Sequence, residues 1–171
     1  MSDPIKHECG IAMIRLLKPL RFYKEKYGTS LYGLNKLCLL MEKQHNRGQD
    51  GAGMANIKFD ISPGNKYISI QKSNTTTPIK DIFHDVSAEI AQVAQQPGAR
   101  PEDPEWLKKN ARFTGELFLG HLRYGTYGGN GIERCHPFLR ESNWMTRTLV
   151  VAGNFNLTNT DELFQRLVNI G

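Results

Sequence analysis

Five short apolar segments in this chain read as strands, and they do not alternate regularly with helices. They cover residues 10–16, 54–61, 66–72, 116–124 and 148–152. Without βαβ alternation a parallel sheet lacks its crossovers, so the pattern predicts antiparallel sheets with helices packed outside, an α+β fold. Pro63-Gly64-Asn65 turns the chain between the second and third segments, which predicts an antiparallel hairpin. Thr29 or Ser30 is placed to cap a helix whose stripe is Leu31, Leu34, Cys38 and Met41, so Cys38 reads as core. The segment 44–53 is polar with three glycines and reads as a sharply folded loop. Residues 79–95 are weakly helical, through Ile82, Phe83, Val86, Ile90 and Val93. With the Pro- and Gly-rich stretch that follows, residues 73–110 read as an excursion over the sheet. Asn159, with Glu162 three residues on, starts a last helix whose apolar face is Leu163, Phe164, Leu167 and Val168, and Gly171 is its expected cap.

A chain of 171 residues can bury a core as one domain. Its longest apolar run, Leu37 to Met41, is far too short to span a membrane. Met1 to Glu8 has no apolar core and does not read as a secretory signal. The cysteines are Cys9, Cys38 and Cys135, an odd set in which no pair has metal-ligand spacing. A disulfide framework is therefore not expected, and a reducing cytoplasm is the expected compartment. The 22 Lys and Arg residues against 17 Asp and Glu give a net charge of +5. Arg15, Lys18, Arg21, Lys24 and Lys26 cluster, yet no zinc-finger or RNA-binding signature accompanies them. They read as a solvated face, with no nucleic-acid or membrane partner.

Four segments share one arrangement, polar or glycine-rich sequence at the end of an apolar strand. They are Cys9-Gly10-Ile11, Asn46-Arg47-Gly48-Gln49-Asp50-Gly51-Ala52-Gly53, Gly120-His121-Leu122-Arg123-Tyr124-Gly125-Thr126 and Gly153-Asn154-Phe155-Asn156-Leu157. Loops held at strand ends are where a scaffold presents function. Each signal is weak alone, since a lone cysteine is ordinarily buried filler and an Asn-rich turn is ordinarily a turn.

Jointly and in this order, the four segments resemble the class II glutamine amidotransferase domain of the N-terminal-nucleophile hydrolase superfamily. Within it they are most similar to the amidophosphoribosyltransferase family, which has an Arg-Gly-Gln-Asp-x-Ala-Gly loop and a His-x-Arg-Tyr-x-Thr strand. The hexosamine-forming family prefers Tyr after the Arg-Gly pair and Trp after the strand arginine, and the asparagine-forming family has Arg-Gly-Pro. The resemblance runs from Cys9 to about Leu167 and fits poorly over 73–110. It implies a four-layer αββα fold. It further implies a leader, residues 1–8, removed to make Cys9 the first residue, and a glutaminase domain portion, 9–171, of a longer enzyme.

The resemblance also implies roles. Cys9 is the nucleophile on the glutamine side-chain amide, passing through a thioester. Its freed α-amine, with a pKa of about 8, is the proton carrier, so none of the five histidines is required as a base. Asn154 and the backbone N–H of Phe155 form the oxyanion hole, although the family has Gly where Phe155 stands. Arg123 pairs with the substrate carboxylate and Thr126 supports it. Arg47 and Gly48 either shape the wall beside Cys9 or touch substrate, and Asn46 is an insertion relative to the family's His-Arg pair. No cofactor is expected for this chain; magnesium, and in some relatives an iron–sulfur cluster, belong to the full-length family enzyme. The implied partners are glutamine, a C-terminal phosphoribosyltransferase domain that uses the ammonia in purine synthesis, and further copies in a homo-oligomer. Two other readings stay open: a sugar-phosphate aminating amidotransferase, and a degenerate domain that binds or regulates without catalysis.

Overall fold

The computed structural model describes residues 8–125, 131–154 and 159–170. In chain order the elements are β1 (Gly10–Arg15), α1 (Leu20–Tyr27), α2 (Tyr32–Lys43), β2 (Gly51–Ile57), β3 (Ile68–Ser73), α3 (Pro78–Ala94), α4 (Pro104–Asn110), β4 (Leu117–Arg123), β5 (Phe138–Arg140), β6 (Leu149–Val151) and α5 (Thr160–Ile170). Four strands form one antiparallel sheet in the order β1-β4-β2-β3, and β5 pairs antiparallel with β6. The α+β class, the antiparallel sheets and the β2–β3 hairpin follow the sequence pattern.

Strand alternation gives the four-stranded sheet two different faces. Ala12, Phe118, Leu122, Ala52 and Met54 form one core with Leu34, Leu37 and Met41 of α2 and with Ile79, Ile82, Val86 and Ile90 of α3. Gly120 lies directly beneath α2, where a Cβ would stand 2.7 Å from Met41 Sδ and 3.1 Å from Leu37 Cδ1. The other face carries Ile11 and Met13, 44% and 67% exposed on β1. Toward β2 this face is covered by the segment leading into β5. A Cβ on Gly53 would stand 2.1 Å from the His136 carbonyl oxygen, so only glycine admits that segment.

Several boundaries differ from expectation. β2 begins at Gly51 rather than Met54, because Gly51, Ala52 and Gly53 pair with Arg123, Leu122 and His121. It ends at Ile57, after which Lys58 N–H donates to Tyr67 O across the hairpin and Asp60 turns the chain at φ 51°. The stretch 73–110 is not a loose excursion, since α3 buries a full apolar stripe in the core. Its C-terminal part adds α4, capped by the Asp103 side chain on the Glu105 N–H. Arg15 of the basic run ends β1, while Arg21, Lys24 and Lys26 lie on α1, which is stopped by Gly28 at φ 77°. There Tyr23, Tyr27 and Tyr32 stack, with Tyr27 and Tyr32 rings 4.4 Å apart. On α2 the buried stripe is Leu34, Leu37 and Met41, and Cys38 sits half-buried at its margin. α2 starts later than the Thr29 or Ser30 cap predicts, with Leu31 at its N-cap and no side-chain cap, because Thr29 Oγ1 instead accepts the Leu31 N–H just before the helix. α5 starts after Asn159 as its signal indicates, yet Phe164, Leu167 and Val168 are exposed. Gly171 lies outside the described residues. No described helix is long and apolar enough to cross a membrane.

A buried ion pair ties α4 to the sheet. Lys108 Nζ lies 2.5 Å from Glu116 Oε1, and the other carboxylate oxygen accepts the Phe59 N–H at 2.9 Å. Lys58 Nζ donates to Ala111 O nearby, and burial, then the Lys108 ammonium, pull its pKa down to about 8. Removing one member of such a pair leaves the other buried and uncompensated. Glu116→Ala is expected to destabilise the chain by about 3–5 kcal/mol, read as a lower urea midpoint.

Candidate active site

The sheet register gathers three of the four motif segments at one end of the molecule. Gly10 on β1 pairs with Leu122 on β4, and Arg123 pairs with Gly51 on β2. Cys9 therefore precedes β1 where Tyr124 follows β4. The Tyr124 N–H lies 3.4 Å from Cys9 Sγ, and the thiol sits 3.9 Å from Tyr124 O. Arg123, 6% exposed, is the last residue of β4.

The loop before β2 is tied to the same strand end. Asp50 N–H donates to Arg123 O at 3.0 Å, and Asp50 Oδ2 accepts the Gly125 N–H at 2.7 Å. A Cβ on Gly48 would stand 2.7 Å from the Arg123 carbonyl carbon and oxygen, so this loop lies flat on β4. That contact gives Gly48 a structural role. Gly48 also lines a 360 Å³ cavity with His45, Gln49 and Thr77. Arg47, half exposed, pairs with Glu8 at 3.5 Å. A larger cleft of 740 Å³, lined by Tyr67, Glu141, Ser142 and Thr148 among others, contains none of the motif residues.

The fourth segment arrives through two histidines. His121 Nε2 lies 3.2 Å from Gly153 O, and the Gly153 N–H donates to His136 Nδ1 at 3.1 Å. The imidazoles stack with centroids 4.6 Å apart and planes 27° from parallel. His121 shares β4 with Arg123 and pairs with Ile11 on β1 and Gly53 on β2. Asn154 follows Gly153 directly and is exposed. Burial, then the neighbouring His136, pull the His121 pKa down to about 4. Burial, then Lys72 and Arg123, lower His136 as well. Both rings are thus held neutral at neutral pH.

The amidophosphoribosyltransferase of Methanocaldococcus jannaschii is 29% identical to this chain over 159 residues, 93% of the chain and 25% of that enzyme. The Bacillus subtilis amidophosphoribosyltransferase is 28% identical over 167 residues, 98% of the chain and 26% of the enzyme. A solved structure of glutamine phosphoribosylpyrophosphate amidotransferase from B. subtilis, complexed with ADP and GMP, superposes with a TM-score of 0.50. It matches 81% of this chain and 23% of its own at 26% identity. Over most of its length this chain is similar to the amidophosphoribosyltransferases. It spans about a quarter of the length of these curated relatives. No protein-family profile matches the chain.

In the sheet register Cys9 and Arg123 come together, with Gly48 packed beside them. Asn154 is linked to them through the histidines. Thr126 and Phe155 lie outside the described residues. Among the described residues no group of three or more His, Cys, Asp and Glu is arranged to hold a metal. The sequence pattern passed over His121 and His136. The available signal was that His121 stands two residues before Arg123, on the same side of β4.

The depressed imidazoles make stability depend on pH. In the unfolded chain His121 takes a proton near pH 6.5, and in the folded chain only near 4. Between these values the unfolded state binds more protons, so stability is full above pH 6.5 and falls as the pH drops toward 4. Urea titrations across that window are expected to show a loss to which His121 contributes on the order of 3 kcal/mol, and a smaller loss in His121→Gln, where the depressed His136 still titrates.

Proposed function

We propose that this chain is a cysteine glutaminase unit of the αββα N-terminal-nucleophile architecture, releasing ammonia for the phosphoribosyl acceptor of an amidophosphoribosyltransferase. The observation that carries this reading is Cys9 Sγ against the Tyr124 N–H, 3.4 Å away, with Arg123 adjacent on β4. Helices on one face of the sheet and the β5 approach on the other support the layer order.

The chemistry follows from the residue types. Cleavage of the Glu8–Cys9 bond removes residues 1–8, frees Arg47 from Glu8 and creates an α-amine on Cys9. With a pKa of about 8, that amine takes the thiol proton as sulfur attacks the glutamine amide carbon. The tetrahedral oxyanion accepts hydrogen bonds from the Asn154 side-chain amide and the Phe155 N–H, each donor worth roughly 3–4 kcal/mol. The α-ammonium returns its proton to the leaving nitrogen, ammonia departs, and a thioester remains. Water, deprotonated by the same amine, cleaves the thioester to glutamate and restores the thiol. The Arg123 fork holds the substrate α-carboxylate in a bidentate pair, with Thr126 supporting it.

Intact mass of the active protein is expected to show loss of Met1 to Glu8. Full glutamine hydrolysis with the leader attached would overturn the amine mechanism. A glutamine-like diazoketone should label Cys9 and spare the other two thiols. Cys135 is buried and Cys38 half-buried, and burial raises the pKa of both. Peptide mapping decides this, and label found mainly on Cys135 reverses the assignment. Cys9→Ser should abolish hydrolysis, and Arg123→Lys should raise the glutamine KM roughly tenfold.

A further inference from the structure

We propose that His121 and His136 are positioning residues, a stacked pair of imidazoles that grips Gly153 through both its backbone N–H and its C=O and thereby orients Asn154. The grip stands on geometry alone; only the consequence for catalysis rests on the glutaminase reading.

A carbonyl needs a donor, so His121 carries its proton on Nε2, 3.2 Å from Gly153 O. Its Nδ1 has no hydrogen-bond partner among the described residues and keeps the lone pair. An amide N–H needs an acceptor, so His136 Nδ1, at 3.1 Å, is bare and its proton sits on Nε2. Both rings are therefore neutral Nε2–H tautomers. A second proton on His136 would remove the only lone pair facing the Gly153 amide. The charged groups facing the pair are cationic, Arg123 from β4 and Lys72 from β3, and they oppose that proton. Phe138, tilted against His136 at 4.4 Å, closes the stack.

Both jaws are anchored on one sheet. His121 is fixed in the β4 ladder between Ile11 and Gly53. His136 is fixed by its carbonyl, which occupies the space a Cβ on Gly53 would take. The strands that hold Cys9 and Arg123 thus also hold the peptide preceding Asn154. An oxyanion donor must meet a developing charge within a fraction of an ångström, and a free loop does not supply that accuracy.

The test uses the full chain. Long-range proton–nitrogen NMR on histidine-labelled protein is expected to show both rings as Nε2–H tautomers at neutral pH, and an Nδ1–H tautomer at either ring overturns the grip. His136→Leu removes the acceptor, while His136→Asn returns an oxygen near the Nδ1 position. Exchange protection of the Gly153 amide should be lost in the leucine variant and kept in the asparagine variant. Glutamine hydrolysis should lose about 30-fold in kcat with KM within about twofold for His136→Leu, and recover to within about fivefold for His136→Asn. If a folded asparagine variant is as impaired as the leucine variant, the ring acts by packing and the proposal is wrong. Should His136→Leu fail to fold, the tautomers and the asparagine variant still decide. If the wild-type protein does not hydrolyse glutamine, the glutaminase reading fails alone, and the tautomers and Gly153 protection decide the grip.

Discussion

Strand β4 makes backbone ladders on both edges, to β1 and to β2, and the rest of the molecule depends on that double pairing. An antiparallel register has a side-chain period of two, so a slip of one residue would turn every side chain to the opposite face. In the observed register Leu122 points into the core under α2, while His121 and Arg123 share the opposite face. The same register brings the head of β1 beside the tail of β4, where Cys9 meets Tyr124. Cys9, Arg123 and the glycine loop are therefore neighbours for the same reason that the core is packed.

Small residues let that register carry more than a sheet. Gly120 admits Met41 and Leu37 on one side, Gly53 admits the His136 carbonyl on the other, and Gly48 lies on the β4 backbone. Each is a close approach that a methyl group would block. Helix α2, the loop at Gly48 and the segment before β5 are thereby pressed onto β2 and β4.

Charge is distributed unevenly over the sheet. At the motif end, Arg123 and Lys72 lie near two imidazoles that burial keeps neutral, giving a cationic surrounding suited to an anionic substrate group. At the other end, Lys58, Lys108 and Glu116 form a buried network that fastens α4 beneath the hairpin. The first arrangement lies among the motif residues, and the second ties α4 to the sheet.

Local pattern in the sequence sufficed for the α+β class, the hairpin and the α5 start. Each of these rests on periodicity or turn chemistry within a few residues. The extent of β2 was not legible, because Gly51 and Gly53 have poor strand propensity and become strand only through pairing with β4. α1 was hidden by its charge, since a basic run with aromatic residues carries no clear apolar stripe. α3 was legible as a weak helix, but its place in the core was not, because burial depends on what the sheet presents to it. Chain order also singled out Cys9, Arg123 and Asn154 as candidate site residues. Only the tertiary structure decided that His121 and His136 join them, because a stacked ring pair on one residue needs β4 and the β5 approach to meet across Gly53.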